Sequence, residues 1–153
     1  MCELLESGTL EQHISRVLQP AYARRYRTMM RAIEHVLVPL GVSIKPPDRE
    51  VFGGYFLWLH LPEPLEADDL VARAQREENL IIGGGSLFGV YGDIRHNELK
   101  SKVRLCFAWE EEDAFREGIE RLGRVINRMV KAGRDGYPAL TRGSENGGQH
   151  NHW

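Results

Sequence analysis

Apolar side chains recur at helical spacing in the first forty or so residues and again across residues 115–130, and between these blocks they gather into short strand-like runs. In the first block Leu10, Ile14, Val17 and Leu18 form one apolar stripe. Thr9 followed by Gln12 has the spacing of a capping box, in which a hydroxyl and a side-chain amide each bond an early helical backbone group, so a helix is expected to begin near Leu10. Pro20 lacks a backbone donor and crowds the preceding turn, which predicts a kink or restart. A second segment over residues 21–38 carries Tyr22, Tyr26, Met29, Met30, Ile33, Val36, Leu37 and Leu40 toward a core, and Pro39 with Gly41 ends it.

Residues 42–45 read as a short strand stopped by Pro46 and Pro47. Tyr55-Phe56-Leu57-Trp58-Leu59-His60-Leu61, introduced by Gly53-Gly54, is nearly continuous in hydrophobicity, which predicts a central strand covered on both faces. Pro62 and Pro64 break it, and residues 65–78 read as a helix with Leu70, Val71 and Ala74 inward. Leu80-Ile81-Ile82 predicts a short strand running into Gly83-Gly84-Gly85-Ser86, followed over residues 87–102 by a loop holding the turn Tyr91-Gly92-Asp93. Val103-Arg104-Leu105-Cys106-Phe107 reads as a strand whose alternation puts Val103, Leu105 and Phe107 on one face and Arg104 with Cys106 on the other. Glu110-Glu111-Glu112-Asp113 then places negative charge where the dipole of a starting helix favours it. Phe115, Ile119, Leu122, Ile126, Met129 and Val130 mark the inward side of that helix to about Ala132, with Gly133 as its stop.

This order predicts an α/β (α+β) fold: a small mixed sheet with helices packed mainly on one face, preceded by a long bent helix. At 153 residues the chain fits one domain. The expected division is residues 1–133 as that domain, with the bent helix over 10–40 and the α/β core over 41–133, and residues 134–153 as a disordered tail rich in Gly, Ser, Asn and Gln. A composition of 42% hydrophobic and 27% charged residues excludes a wholly disordered or fibrous chain. The net charge of −2 gives the chain as a whole no attraction to nucleic acid or to an anionic membrane, so neither is expected as a partner. No apolar run approaches the roughly 20 residues of a membrane span. Met1-Cys2-Glu3-Leu4-Leu5-Glu6 lacks the basic start and apolar stretch of a signal peptide, and a cytoplasmic location follows as the expectation.

Chemistry concentrates at few positions. Arg104 is either an anion-binding residue or a solvated edge-strand residue, because a guanidinium among apolar neighbours is costly unless its planar fork meets a carboxylate or phosphate. Arg24, Arg25, Arg27 and Arg31 form the most basic stretch, which reads as the solvated face of an amphipathic helix rather than a nucleic-acid patch. His60 reads as a structural histidine, since no pattern of metal ligands accompanies it. The triple glycine lacks the lysine of a P-loop and the spaced glycines of a dinucleotide site, so a flexible turn or a close backbone approach is expected. The acidic run at 110–113 is read as a helix start. Cys2 and Cys106 read as reduced thiols, with Cys106 buried in its strand, and His150 and His152 sit on the tail without the fixed geometry of a metal site.

Four stretches in order carry a family resemblance: Gly53-Gly54-Tyr55-Phe56-Leu57-Trp58-Leu59 with Leu61-Pro62, Leu80 to Phe88 with its glycines, Val103-Arg104-Leu105-Cys106-Phe107, and Gly118-Ile119-Glu120-Arg121-Leu122. Together they resemble the C-terminal (small) domain of fold-type I pyridoxal-phosphate-dependent aminotransferases, class I/II, of the aromatic amino acid, kynurenine and aminoadipate group. The resemblance covers about residues 4–130. It implies that Arg104 matches the arginine that grips the α-carboxylate of an amino-acid or 2-oxo-acid substrate, and that the complete enzyme transfers an amino group through pyridoxal 5'-phosphate and is a homodimer. Two features depart from the family pattern: Gly84 stands where the family commonly has proline, and the loop around residues 95–102 is longer.

The resemblance further implies that the cofactor lysine belongs to a large domain outside this sequence. Lys45, Lys100, Lys102 and Lys131 are the lysines present, and none has the context of a Schiff-base motif. The chain alone is therefore expected to have no catalytic residue, to hold no cofactor covalently and to be inactive. The leading reading is a substrate-binding fragment whose partner is the missing large domain. The alternative is a stand-alone, non-enzymatic module that binds a carboxylate metabolite or a protein partner.

Overall fold

The computed structural model describes residues 7–44, 54–90, 92 and 96–134. Helix α1 (Thr9–His13) passes through a π-helical turn (Ile14–Leu18) into α2 (Gln19–Val36). Pro20 accounts for the π turn, because a proline needs a wider turn before it to accommodate its ring and its missing donor. The predicted bend is thus present and takes the form of a π bulge within one long helical segment. Thr9 does not cap that segment. Gly8, at φ 69°, is the N-cap, its carbonyl accepts from the Gln12 amide at 3.0 Å, and the Thr9 hydroxyl instead pairs with Ser7 Oγ. Met29, Ile33 and Leu37 are buried, with Tyr22, Tyr26, Met30, Val36 and Leu40 packed beside them, as their spacing predicts. A 3-10 turn (Val38–Leu40) and Gly41 at φ 90° end the segment.

Four strands follow: β1 (Ser43–Ile44), β2 (Phe56–His60), β3 (Gly83–Gly84) and β4 (Lys102–Cys106), in the order β1-β2-β4-β3. Helix α3 (Ala67–Glu78) carries the chain from β2 toward β3, and β4 inserts antiparallel between those two. Every pairing is therefore antiparallel, although β2 and β3 run in the same direction in the manner of a split β-α-β unit. The mixed character expected of the sheet resides in this shared direction of β2 and β3, which β4 keeps apart.

Strand β3 lies later than Leu80-Ile81-Ile82. Asn79 turns the chain at φ 49° and the Leu80 amide still bonds Ala74 O at 3.0 Å, so these residues finish the α3 terminus before pairing can begin. A 3-10 turn (Gly85–Phe88) follows β3, and a short helix α4 (His96–Leu99) lies inside the predicted loop.

Leu57, Leu59, Val103 and Leu105 form the inner face of the sheet. Helices α2, α3 and α5 (Glu112–Arg134) cover it, α5 contributing Phe115, Ile119, Leu122, Val125, Ile126 and Met129. Side chains of this kind each contribute about 1.5–3 kcal/mol on full burial. The opposite face is open, so β2 is not buried on both sides as its hydrophobicity suggested: Phe56 is 43% exposed, and Trp58 and His60 are half-buried. Gly123 lets α5 approach α2 closely, since a Cβ there would lie 2.6 Å from Val36 Cγ1. Gly133 does not stop α5, which continues through Arg134. Arg134 is thus helical where the tail was expected to start, and the rest of the predicted tail, with His150 and His152, lies outside the described residues, as do Cys2, Lys45 and most of the turn around Gly92. No described helix is long and apolar enough to cross a membrane.

An ion cluster fastens α3 to α5. Arg124 and Arg128 donate to Glu78 at 2.7 and 2.8 Å, and Arg128 also reaches Glu77 at 2.9 Å. Hydrogen bonds from Arg124 and then Arg128 hold the Glu78 carboxyl down at about 2, against an ordinary 4.5. A carboxyl whose value is lowered on folding adds stability above its unfolded value and loses it as pH falls toward its folded one. The stability difference between the native chain and Glu78→Gln, measured by urea unfolding, should accordingly be constant above about pH 5 and close progressively as the pH falls toward about 2.

Candidate functional site

The register of β2 and β4 sets opposite one another Phe56 and Cys106, Trp58 and Arg104, and His60 and Lys102, all on the open face. Strand β4 is an interior strand, which removes the edge-strand reading of Arg104. Its guanidinium carbon stands 4.0 Å from the centre of the Phe56 ring and 3.8 Å from that of Phe88. The cation thus lies over two aromatic rings at once, each such contact contributing about 0.5–1 kcal/mol at an exposed site. Trp58 meets Phe88 edge-on at 5.4 Å and closes one side. Among the described residues no carboxylate pairs with Arg104, and its in-plane N–H groups are the donors left to a ligand.

The triple glycine builds this arrangement by close approach, one of the two readings its sequence allowed. Gly83 pairs with Arg104 across the sheet, and a Cβ there would lie 3.3 Å from Phe88 Cε2, so glycine makes room for the ring that covers the cation. Gly84 packs against Asp68 Oδ1 and Val71, and Gly85 against the carbonyls of Leu99 and Lys102. Ser86 and Asp68 share a hydrogen bond. Oxygen acceptors therefore surround the glycines, the reverse of what a phosphate cradle requires.

The end of β4 is held from the long helix. Arg25 donates from Nε to Phe107 O at 2.7 Å and from Nη2 to Glu110 O, and its guanidinium lies 5.2 Å from the centre of the Phe115 ring. Arg24 pairs with Glu112 at 2.8 Å, while Arg27 and Arg31 are exposed. The solvated-face reading thus holds for Arg24, Arg27 and Arg31 and needs correction for Arg25, whose half-buried side chain satisfies two carbonyls of an irregular loop. Cys106 also needs correction: it is exposed, because the period of the strand puts it on the open face with Arg104. His60 is half-buried on that face, and the described residues contain no group of three His, Cys, Asp or Glu able to hold a metal. Sequence reasoning missed Phe56 and Phe88 as parts of the site; the glycine that sits opposite Arg104 in β3 was the available signal.

No protein-family model matches the sequence. An aromatic-amino-acid aminotransferase of Thermococcus litoralis is 30% identical over 127 residues, covering 83% of this chain and 28% of the relative. A 2-aminoadipate transaminase of Thermus thermophilus is 30% identical over 128 residues, covering 84% and 29%. The crystal structure of a kynurenine aminotransferase from Pyrococcus horikoshii superposes with a TM-score of 0.71 at 30% identity, covering 85% of this chain and 29% of that one. The chain forms a fold-type I aminotransferase-like domain. It spans under a third of the length of the curated relatives it matches.

Pyridoxal phosphate is the cofactor this relationship implies. The residues described in the aminotransferase-like domain do not fit it. The rings of Phe56, Trp58 and Phe88 line the open face beside Arg104, the glycine turn meets acceptors rather than donors, and Lys131 is on α5, behind the sheet. Lys102 shares the open face, but the described residues place no phosphate-binding turn and no carboxylate for a pyridinium nitrogen around it.

The close packing of the glycine turn gives a direct stability test. In Gly85→Ala the new methyl would overlap the Leu99 carbonyl, so the backbone must move, and a loss of about 1–3 kcal/mol is expected in urea unfolding. Gly118→Ala, inside α5 with only Leu80 Cδ1 at 4.0 Å, should instead gain about 0.5–1 kcal/mol through helix propensity.

Proposed function

We propose that the chain is the small, substrate-binding domain of a pyridoxal-phosphate-dependent aminotransferase, and that Arg104 anchors the α-carboxylate of an amino acid or 2-oxo acid. The proposed domain runs over residues 1–133, with the bent helix joining it to a cofactor-binding large domain that supplies the lysine. The observation that carries the reading is the Arg104 guanidinium, held against two aromatic rings and without a carboxylate partner among the described residues. A planar carboxylate can meet its free edge through two parallel hydrogen bonds. The role of this chain in the reaction is to bind and orient: a carboxylate fixed in the plane of Arg104 holds the substrate Cα at a set angle. The chemistry at Cα belongs to the cofactor, which acts as the electron sink when bound elsewhere in the complete enzyme.

A second observation supports the partner domain. Leu10, Ile14 and Val17, at 40%, 39% and 51% exposure, form an apolar stripe on the first turns of the long helix that no other described element covers. Replacing Ile14 and Val17 by Gln should reduce self-association of the isolated chain in sedimentation velocity and leave its melting temperature unchanged within a few degrees. An unchanged sedimentation profile would remove this support.

The direct test is the native species carrying this sequence, captured from its own cells through an epitope in residues 110–131. A species heavier than 17.5 kDa with the absorbance of bound pyridoxal phosphate is expected. In that species Arg104→Ala should lower kcat/KM for its amino-acid substrate by about 2–5 kcal/mol of transition-state binding. A 17.5 kDa species without cofactor, or unchanged kcat/KM, would overturn the reading.

A further inference from the structure

We propose that Phe88 and Phe56 are positioning residues, a clamp that fixes the plane of the Arg104 guanidinium so that its edge alone is offered to a ligand, and that Gly83 exists to seat the Phe88 half of that clamp. Arg104 ends in a group with several rotatable bonds, and on an open sheet face water would let it sample many orientations. The two rings restrict that freedom by contact at 3.8 and 4.0 Å. Phe56 is fixed by the β2 ladder, two residues along from Trp58, which faces Arg104 directly. Phe88 arrives differently. It ends the 3-10 turn after β3 and folds back over the strand position next to Arg104, where a side chain on Gly83 would crowd the ring, its Cβ lying 3.3 Å from Phe88 Cε2. The Phe88 ring also forms a T-shaped pair with Trp58, the ring centres 5.4 Å apart.

With two rings against the cation, the approach left to a ligand is toward its N–H edge, where two acceptor oxygens, as in a carboxylate, can meet it. A preset plane also lowers the ordering cost of binding, so the clamp acts through Arg104 on affinity rather than by touching the reacting atoms. The purpose of the clamp rests on the carboxylate role proposed for Arg104, but its existence does not.

The two are separated by nuclear magnetic resonance on the full chain labelled with 15N-arginine. Without ligand, rotation about the Arg104 Cζ–Nε bond is expected to be slow and its Nε–H resonance shifted upfield by the rings. Phe88→Leu should speed the rotation and remove part of the shift, Phe88→Tyr should restore both, and Gly83→Ala, which presses on Cε2 and Cζ of Phe88, should fall between. Equal rotation rates in the native chain and Phe88→Leu would overturn the clamp. Titration with acetate then reads its purpose: Phe88→Leu should need about two- to fivefold more acetate than the native chain or Phe88→Tyr to move the Arg104 resonance, the factor equivalent to one exposed cation–π contact. Equal midpoints would overturn the positioning role. An Arg104 resonance that no acetate concentration moves, with the rotation differences intact, would overturn the carboxylate reading and leave the clamp standing.

Discussion

The interaction on which this domain depends is the antiparallel pairing of β2 with β4, register Phe56 to Cys106 through His60 to Lys102. Because side chains alternate along a strand, this one register assigns Leu57, Leu59, Val103 and Leu105 to the helices and Phe56, Trp58, Arg104 and Cys106 to the open face. A slip by one residue would bury a guanidinium and expose the core, a cost of several kcal/mol for the charge alone. The apolar core thus enforces the position of the cation, and the site needs no separate device to bring Arg104 and Phe56 together.

Around that ladder, two further constraints locate the site. At one edge, the glycines of residues 83–85 let a turn lie flat against the sheet and against the α3 start, bringing Phe88 over Arg104. At the strand end, Arg25 reaches from α2 to the carbonyls of Phe107 and Glu110 and ties the chain leaving β4 to the long helix. These contacts satisfy backbone groups of irregular segments that have no ladder of their own. They also tie the end of the Arg104 strand to the long helix, which suits a domain whose proposed task is to present a carboxylate anchor to a neighbour.

The open face and the apolar stripe of Leu10, Ile14 and Val17 share a property. Each carries large apolar side chains for which the described fold provides no cover, and the chain spans under a third of its curated relatives. In the functional reading proposed here both surfaces are joints, one toward a substrate and one toward a cofactor-binding domain. The ion cluster of Glu77, Glu78, Arg124 and Arg128 lies elsewhere, fastening α3 to α5.

The sequence by itself determined the order of the elements, the inward stripes of Met29-Ile33-Leu37 and of Phe115 through Met129, and the separation of Arg104 from Val103 and Leu105. Those properties follow from periodicity, which is local and survives in one dimension. It also determined that the triple glycine allowed a close approach, since only missing side chains permit one. Tertiary structure alone decided what approached. The sequence does not order the strands, so the insertion of β4 between β2 and β3, the open outer face of β2 and the exposure of Cys106 were not legible in it. Nor were the start of β3 at Gly83 and the absorption of Pro20 by a π turn, because each depends on which of several competing backbone hydrogen bonds is made. Phe56, Phe88 and Arg104 are far apart in the chain, and their stacking exists only once the sheet has set its register. Patterns within a segment record burial, whereas contacts between segments are chosen by packing.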